Sequence, residues 1–127
     1  MQRTFLAWGS VLAMLSVAIG AFGAHLLKPI IDADLLKVYE TGVQYQMMHA
    51  LGLILIAIII GQWGESTRIR WAGILLISGI VLFSGSLYVL SISGIKVLGA
   101  ITPLGGICFL AGWLCLILEV LSNNRGK

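Results

Sequence analysis

Four stretches of this chain are long, apolar and almost free of formal charge, and they leave little choice of fold. They run from Phe5 to Leu27, from Met47 to Trp63, from Trp71 to about Ile92, and from Val97 to Leu121, where Glu119 is the one charged residue. A helix of about 20 such residues crosses the ~30 Å hydrocarbon layer of a membrane. Inside that layer no water can pair with the backbone, so only helices and closed barrels are viable. Barrel strands would alternate apolar and polar positions over about ten residues, and no such alternation occurs here. The expected fold is all-α: one integral membrane four-helix bundle, with helices at about 4–27, 46–63, 71–92 and 99–121.

Composition closes the other routes. Apolar residues make up 59% of the 127 positions and charged residues 10%, against about half and about a quarter in soluble domains. A soluble chain of this size could not hide so much apolar surface, and a disordered one would not carry it. The net charge of +3 is scattered, with no basic run suited to nucleic acid. Cys108 and Cys115 stand about 10 Å apart along one helix, too far for a mutual disulfide, and read as apolar fillers. The start, Met-Gln-Arg-Thr, imitates a signal peptide. The apolar run that follows is longer than the apolar part of such a peptide, so it is expected to stay as a span.

Charge asymmetry predicts the orientation. Arg3, Arg68, Arg70, Arg125 and Lys127 fall on one side; Lys28, Lys37 and Lys96 fall on the other, offset by Asp32, Asp34 and Glu40. The positive-inside rule then puts both termini in the cytoplasm. Trp8, Trp63 and Trp71 are expected at the inner boundary, and Tyr39, Tyr45 and Tyr88 toward the outer one. Pro29 stops helix 1, and Asp32 and Asp34 suit the start of the next helix. A continuous helix from Asp34 to Gly61 would be about 42 Å long, more than the hydrocarbon needs. Residues 33–45 therefore read as an amphipathic outer segment. It lies in the interface or rises as an extension of helix 2, with Gly42 the expected bend. Short loops at Gly64–Arg70 and Ser93–Lys96 make sequential helices antiparallel neighbours. Thr102-Pro103 resembles an N-cap followed by a first-turn proline. Helix 4 either starts at Pro103 or runs through it with a kink.

Small residues form stripes. Gly9, Ala13, Ser16, Gly20 and Ala24 share a face of helix 1; Ala72, Gly79, Ser86 and Ser93 recur every seventh residue, as do Gly105 and Gly112. Such faces let helices approach closely. They serve the bundle itself, a homo-oligomer or a larger membrane complex, which the pattern alone does not separate.

Polar groups gather toward the outer side: His25, Tyr45, Gln46, His49, Ser84, Ser86, Tyr88 and Thr102. Thr41, Tyr45 and His49 lie at i, i+4 and i+8, with Gln46 beside them. His25 ends helix 1 and His49 enters helix 2, which suggests similar depth. Polar groups inside a bilayer usually face the bundle interior or water, so an outward-opening polar pocket over a dry inner half is expected. The plainer alternative is that individual residues sit at headgroup level or bond back to their own turn. Two histidines without a third ligand do not make a metal site. No serine or cysteine has an evident base, so neither catalysis nor a cofactor is expected.

The segments Gly20-Ala-Phe-Gly-Ala-His25, Thr41-Gly-Val-Gln-Tyr-Gln-Met-Met-His49, Phe83-Ser-Gly-Ser-Leu-Tyr88 and Ile101-Thr-Pro-Leu-Gly-Gly106, followed by Gly112-Trp113, together resemble one small bacterial family. It is the YgdD/YwdK-like group, domain of unknown function 423, similar to eukaryotic transmembrane protein 256. The resemblance spans nearly the whole chain. It implies a multi-pass protein of the bacterial cytoplasmic membrane and implies no activity. Small multidrug exporters differ, since they rely on a glutamate within helix 1. Fluoride channels differ too, since the asparagines here are only Asn123 and Asn124. The expected function is binding or transport of a small polar ligand or lipid headgroup through the outer pocket. The alternative is a structural or adaptor subunit that packs through its small-residue faces.

Overall fold

A computed structural model describes residues 1–122. Arg125 and Lys127, counted above for orientation, lie outside the described residues, as do Asn123 and Asn124. Four helical segments are long and apolar enough to cross a membrane: α1 (Gln2–Leu27), α2 (Ala33–Trp63), α3 (Thr67–Ser93) and a fourth, Lys96–Ser122. The fourth opens with a 3-10 turn over Lys96–Ala100, and its α-helical part, α4, is Thr102–Ser122. Every regular element among the described residues is helical. The connections are short and sequential helices run antiparallel.

Local chemistry accounts for most of the ends. Asp32 caps α2 by accepting from the N–H of Asp34 at 3.1 Å. Ser66 caps α3 by accepting from the N–H of Ile69 at 3.1 Å. α2 and α3 each stop at a glycine with positive φ, Gly64 (84°) and Gly94 (73°), a conformation that L side chains resist. α1 ends in a π turn over Gly23–Leu27, and α3 carries another over Ile80–Ser84.

Of the two readings of residues 33–45, the structure has the extension of helix 2: α2 is unbroken for 31 residues, about 46 Å at 1.5 Å per residue. Its first turns carry Asp34, Lys37 and Glu40, and its length exceeds what the hydrocarbon needs. Two details need correction. Gly42 is not a bend. It is a close-approach point, where an added Cβ would stand 2.8 Å from Cε1 of Tyr88. The Thr102 side chain is not a cap either. The Ile101 carbonyl takes the first helical bonds of α4, from Leu104 and Gly105, and the Thr102 hydroxyl turns to α3 instead. The 3-10 turn and α4 are distinct, so the fourth helix begins at Thr102-Pro103 rather than running through it.

The helices pack in chain order, α1 on α2, α2 on α3 and α3 on α4. The stripes of small residues lie in these seams. Gly9 meets the Ala50 carbonyl and Ile54, Gly20 meets Val43, Gly79 lies under the Phe109 ring, Gly105 abuts the Phe83 backbone, and Gly112 meets Leu76 and the Ala72 carbonyl. Ser16 is buried in the α1–α2 seam and Ala13 half-buried, whereas Ala24 is exposed. Below the middle of α2 the core is hydrocarbon: Leu53, Ile56, Ala57, Ile69, Ala72 and Leu76 are all buried.

One end of the bundle carries the arginines. Arg70 pairs with Glu65 at 2.5 Å, and the Arg70 guanidinium holds that carboxyl below the usual carboxylate range. Arg68 donates to the Leu118 carbonyl at 3.1 Å and to the Ser122 hydroxyl, covering the negative end of α4.

Candidate functional site

A hydrogen-bonded chain ties the helices together near mid-depth. The Tyr88 hydroxyl donates to Gln46 Oε1 at 2.6 Å, and Gln46 Nε2 donates to the Leu12 carbonyl at 2.9 Å. That run joins α3 to α2 and α2 to α1. Tyr39 adds a second α2–α1 link, its hydroxyl donating to the Ile19 carbonyl at 2.5 Å. Ser84 donates to the Gly42 carbonyl at 2.7 Å, and Ser86 shares a 2.6 Å bond with Thr102. On the other flank Trp113 Nε1 donates to His49 Nε2 at 2.9 Å, while His49 Nδ1 lies 2.8 Å from the Tyr45 carbonyl. The two contacts assign the tautomer. Nε2 must accept, so Nδ1 carries the proton and donates to Tyr45.

The structure therefore brings together Gln46, Tyr88, His49, Ser84, Ser86 and Thr102 as links between or within helices, and of these His49 also lines a recess. Among the described residues no buried side-chain nitrogen or oxygen lacks a partner. Tyr39 and Tyr88 face inward and bond other helices, so they are not an interfacial belt. Ser10, Ser16 and Ser93 each bond back one turn, the plainer role.

His25 does not join this set. It is exposed on the π turn at the end of α1, with no side-chain hydrogen bond among the described residues. The pairing of α1 with α2 explains why. Gly23 lies against Tyr39 and Gly9 against Ala50 and Leu53, so His25 is level with about Lys37. His49 is twelve positions further along α2, about 18 Å deeper. The expected similar depth is corrected, because the register of α1 on α2 sets His25 beside the first turns of α2.

A recess does exist, with different walls. Between α2 and α4, over the π turn of α3, a groove of about 460 Å³ is lined by Tyr45, Met48, His49, Phe83, Pro103, Gly106, Ile107, Phe109, Leu110 and Trp113. Its floor is aromatic. Phe109 stacks on His49 with centroids 3.6 Å apart and planes 9° apart, and Tyr45 lies 4.6 Å from Phe83. Met48, Ile107 and Leu110 at its rim are exposed, so it opens sideways toward lipid. The Tyr45 hydroxyl has no hydrogen-bond partner among the described residues. Phe83, Phe109 and Trp113 were not among the site residues expected from sequence. Phe109 and Trp113 stand at i and i+4 on α4, and the glycines at 79 and 105 that admit Phe109 and Phe83 were the available signal.

Comparison with known proteins agrees with this architecture. Residues 19–106 match the family described as protein of unknown function (DUF423). A UPF0382 membrane protein of Staphylococcus haemolyticus is 49% identical over 118 residues, covering 93% of this chain and 95% of the relative. The UPF0382 membrane protein YwdK of Bacillus subtilis is 47% identical over 120 residues, covering 94% and 98%. No solved structure matches the chain. With four spanning helices and relatives aligned almost end to end, this chain is a membrane protein that belongs to the DUF423 family.

Proposed function

We propose that this protein binds a planar, ring-bearing lipid of quinone type in the groove between α2 and α4, without catalysing a reaction. The observation that carries this reading is the aromatic floor of the groove, with one phenol hydroxyl left free beside it. Rings stack favourably on rings. A quinone carbonyl supplies the acceptor that the Tyr45 hydroxyl lacks in its apolar surroundings, and an isoprenoid tail leaves through the lipid-facing rim. A small polar ligand or headgroup fits this groove less well, because Gln46, Ser84, Ser86, Tyr88 and Thr102 already bond other helices and the groove walls are mostly apolar. The alternative, an adaptor subunit, has less small-residue surface to offer, since Gly9, Ser16, Gly79, Gly105 and Gly112 lie in the seams of the bundle and Ala24 is exposed. A homo-oligomer or larger complex would use the exposed apolar surfaces instead.

The test is quenching of Trp113 fluorescence by a short-tailed naphthoquinone in nanodiscs, with Trp8, Trp63 and Trp71 replaced by Phe. Saturable quenching is expected. Tyr45→Phe should weaken it about 2- to 12-fold, the worth of one hydrogen bond of about 0.5–1.5 kcal/mol. Gly106→Phe fills the groove from a backbone position with open space around it and should abolish saturation. Unchanged quenching in Gly106→Phe would sink the reading.

We also propose that the arginine end lies in the cytoplasm of a bacterial cell. Arg3, Arg68 and Arg70 stand at that end, and Lys28, Lys37 and Lys96 at the other. In a chain with Cys108 and Cys115 replaced by Ser, a membrane-impermeant maleimide should label Lys96→Cys in intact cells. Glu65→Cys should react only after lysis. The reverse pattern would invert the topology.

A further inference from the structure

At the arginine end a second recess, of about 540 Å³, is lined by Ser66, Thr67, Arg68, Trp71, Cys115 and Glu119. Glu119 is the unusual member. Most of its side chain is covered, the residue being 8% exposed, while its carboxyl group opens into the recess and makes neither an ion pair nor a hydrogen bond among the described residues. It also stands in the last turn of α4, where the helix dipole disfavours negative charge. Arg68 lines the same recess but attends to the end of α4, through the Leu118 carbonyl and Ser122. That contact uses one terminal nitrogen of the guanidinium, and the rest of the fork has no partner among the described residues. The half-exposed indole of Trp71 completes the wall, at the depth where α2 and α3 turn around at the membrane surface.

A carboxyl group facing the recess, a guanidinium with donors unpartnered among the described residues and an indole beside them match a head that carries both charges. We propose that this recess holds the headgroup of a phospholipid with a primary amine, of phosphoethanolamine chemistry. The ammonium lies against Glu119 and over Trp71, and the phosphate meets Arg68 and the Thr67 hydroxyl. Each charged side chain then gains a partner that it lacks among the described residues. A glycerol head leaves Glu119 uncompensated. A trimethylated head brings a cation with no N–H to donate. The acyl chains continue into the bilayer that surrounds the bundle. This site is separate from the aromatic groove and does not depend on the reading of that groove.

The experiment is native mass spectrometry of the protein released from vesicles with equal phosphatidylethanolamine, phosphatidylcholine and phosphatidylglycerol. The wild type should retain phosphatidylethanolamine about tenfold over each of the others, as expected for one charge-assisted hydrogen-bonded pair. Glu119→Gln should bring the ethanolamine and choline lipids to parity, and Glu119→Asp should keep the preference. Arg68→Gln should lower retention of all three. An absence of preference in the wild type overturns the proposal whether or not any variant folds. So does a preference that survives in Glu119→Gln. Soluble O-phosphoethanolamine should compete only weakly; if it competes as well as the lipid, the ligand is not a membrane lipid and the proposal fails.

Discussion

Gly105→Ala is expected to destabilise the bundle by about 3 kcal/mol, the upper range for forcing extra volume into a packed seam, while Gly106→Ala one residue along should be neutral or stabilise by up to about 1 kcal/mol. The two glycines share helix, depth and chemistry, so propensity cannot separate them; Ala is the better helix former at both. The neighbours do separate them. At Gly105 an added Cβ would strike the backbone nitrogen of Phe83, with the Phe83 Cα and Cβ each 2.7 Å away. At Gly106 it would meet nothing within 4 Å. Phe83 belongs to the π turn of α3, and a backbone cannot step aside as a flexible side chain does. Accommodation requires α4 to move away from α3, which loosens the Phe83 and Phe109 walls of the groove. The check is reversible unfolding in mixed micelles with rising SDS. Equal stability of the two variants would mean that α3 and α4 are not seated as described.

Phe109→Ala is expected to cost about 3–5 kcal/mol, the range for deleting a buried aromatic ring. Phe109 is buried, stacks on His49 at 3.6 Å and covers Gly79. The last contact makes the prediction specific. Gly79→Ala alone should also destabilise, because its methyl would run into the Phe109 ring. In the Phe109→Ala background that methyl enters the space the ring has left, so Gly79→Ala should there be neutral or stabilising. Contacting residues couple by about 0.5–3 kcal/mol, and a double-mutant cycle in the same SDS assay should place this pair at the high end. Simple additivity would show that the ring does not lie on Gly79.

Much of the fold was legible along the chain, because burial in lipid imposes length and uniform apolarity on each span. The four runs, the short loops, the Asp32 end and the glycines of the seams all carry local signals. Gln46 and Tyr88 were legible as a polar set but not as partners, since 42 positions separate them. His25 was misjudged for a simple reason. The sequence shows where helix 1 ends, but not how far α2 stands out of the membrane before it enters. The groove was least legible, since Phe83, Phe109 and Met48 look like ordinary membrane residues until two helices diverge around them.

By itself, the amino-acid sequence determined that this chain spans a membrane four times, because an unpaired backbone cannot survive in hydrocarbon and nothing but a helix satisfies it from within one segment. Only the tertiary structure decided that the polar side chains lock helices together and that the open recess is aromatic. Those outcomes depend on the vertical register between helices. Small residues in the seams set that register, and no periodicity within a single helix encodes it.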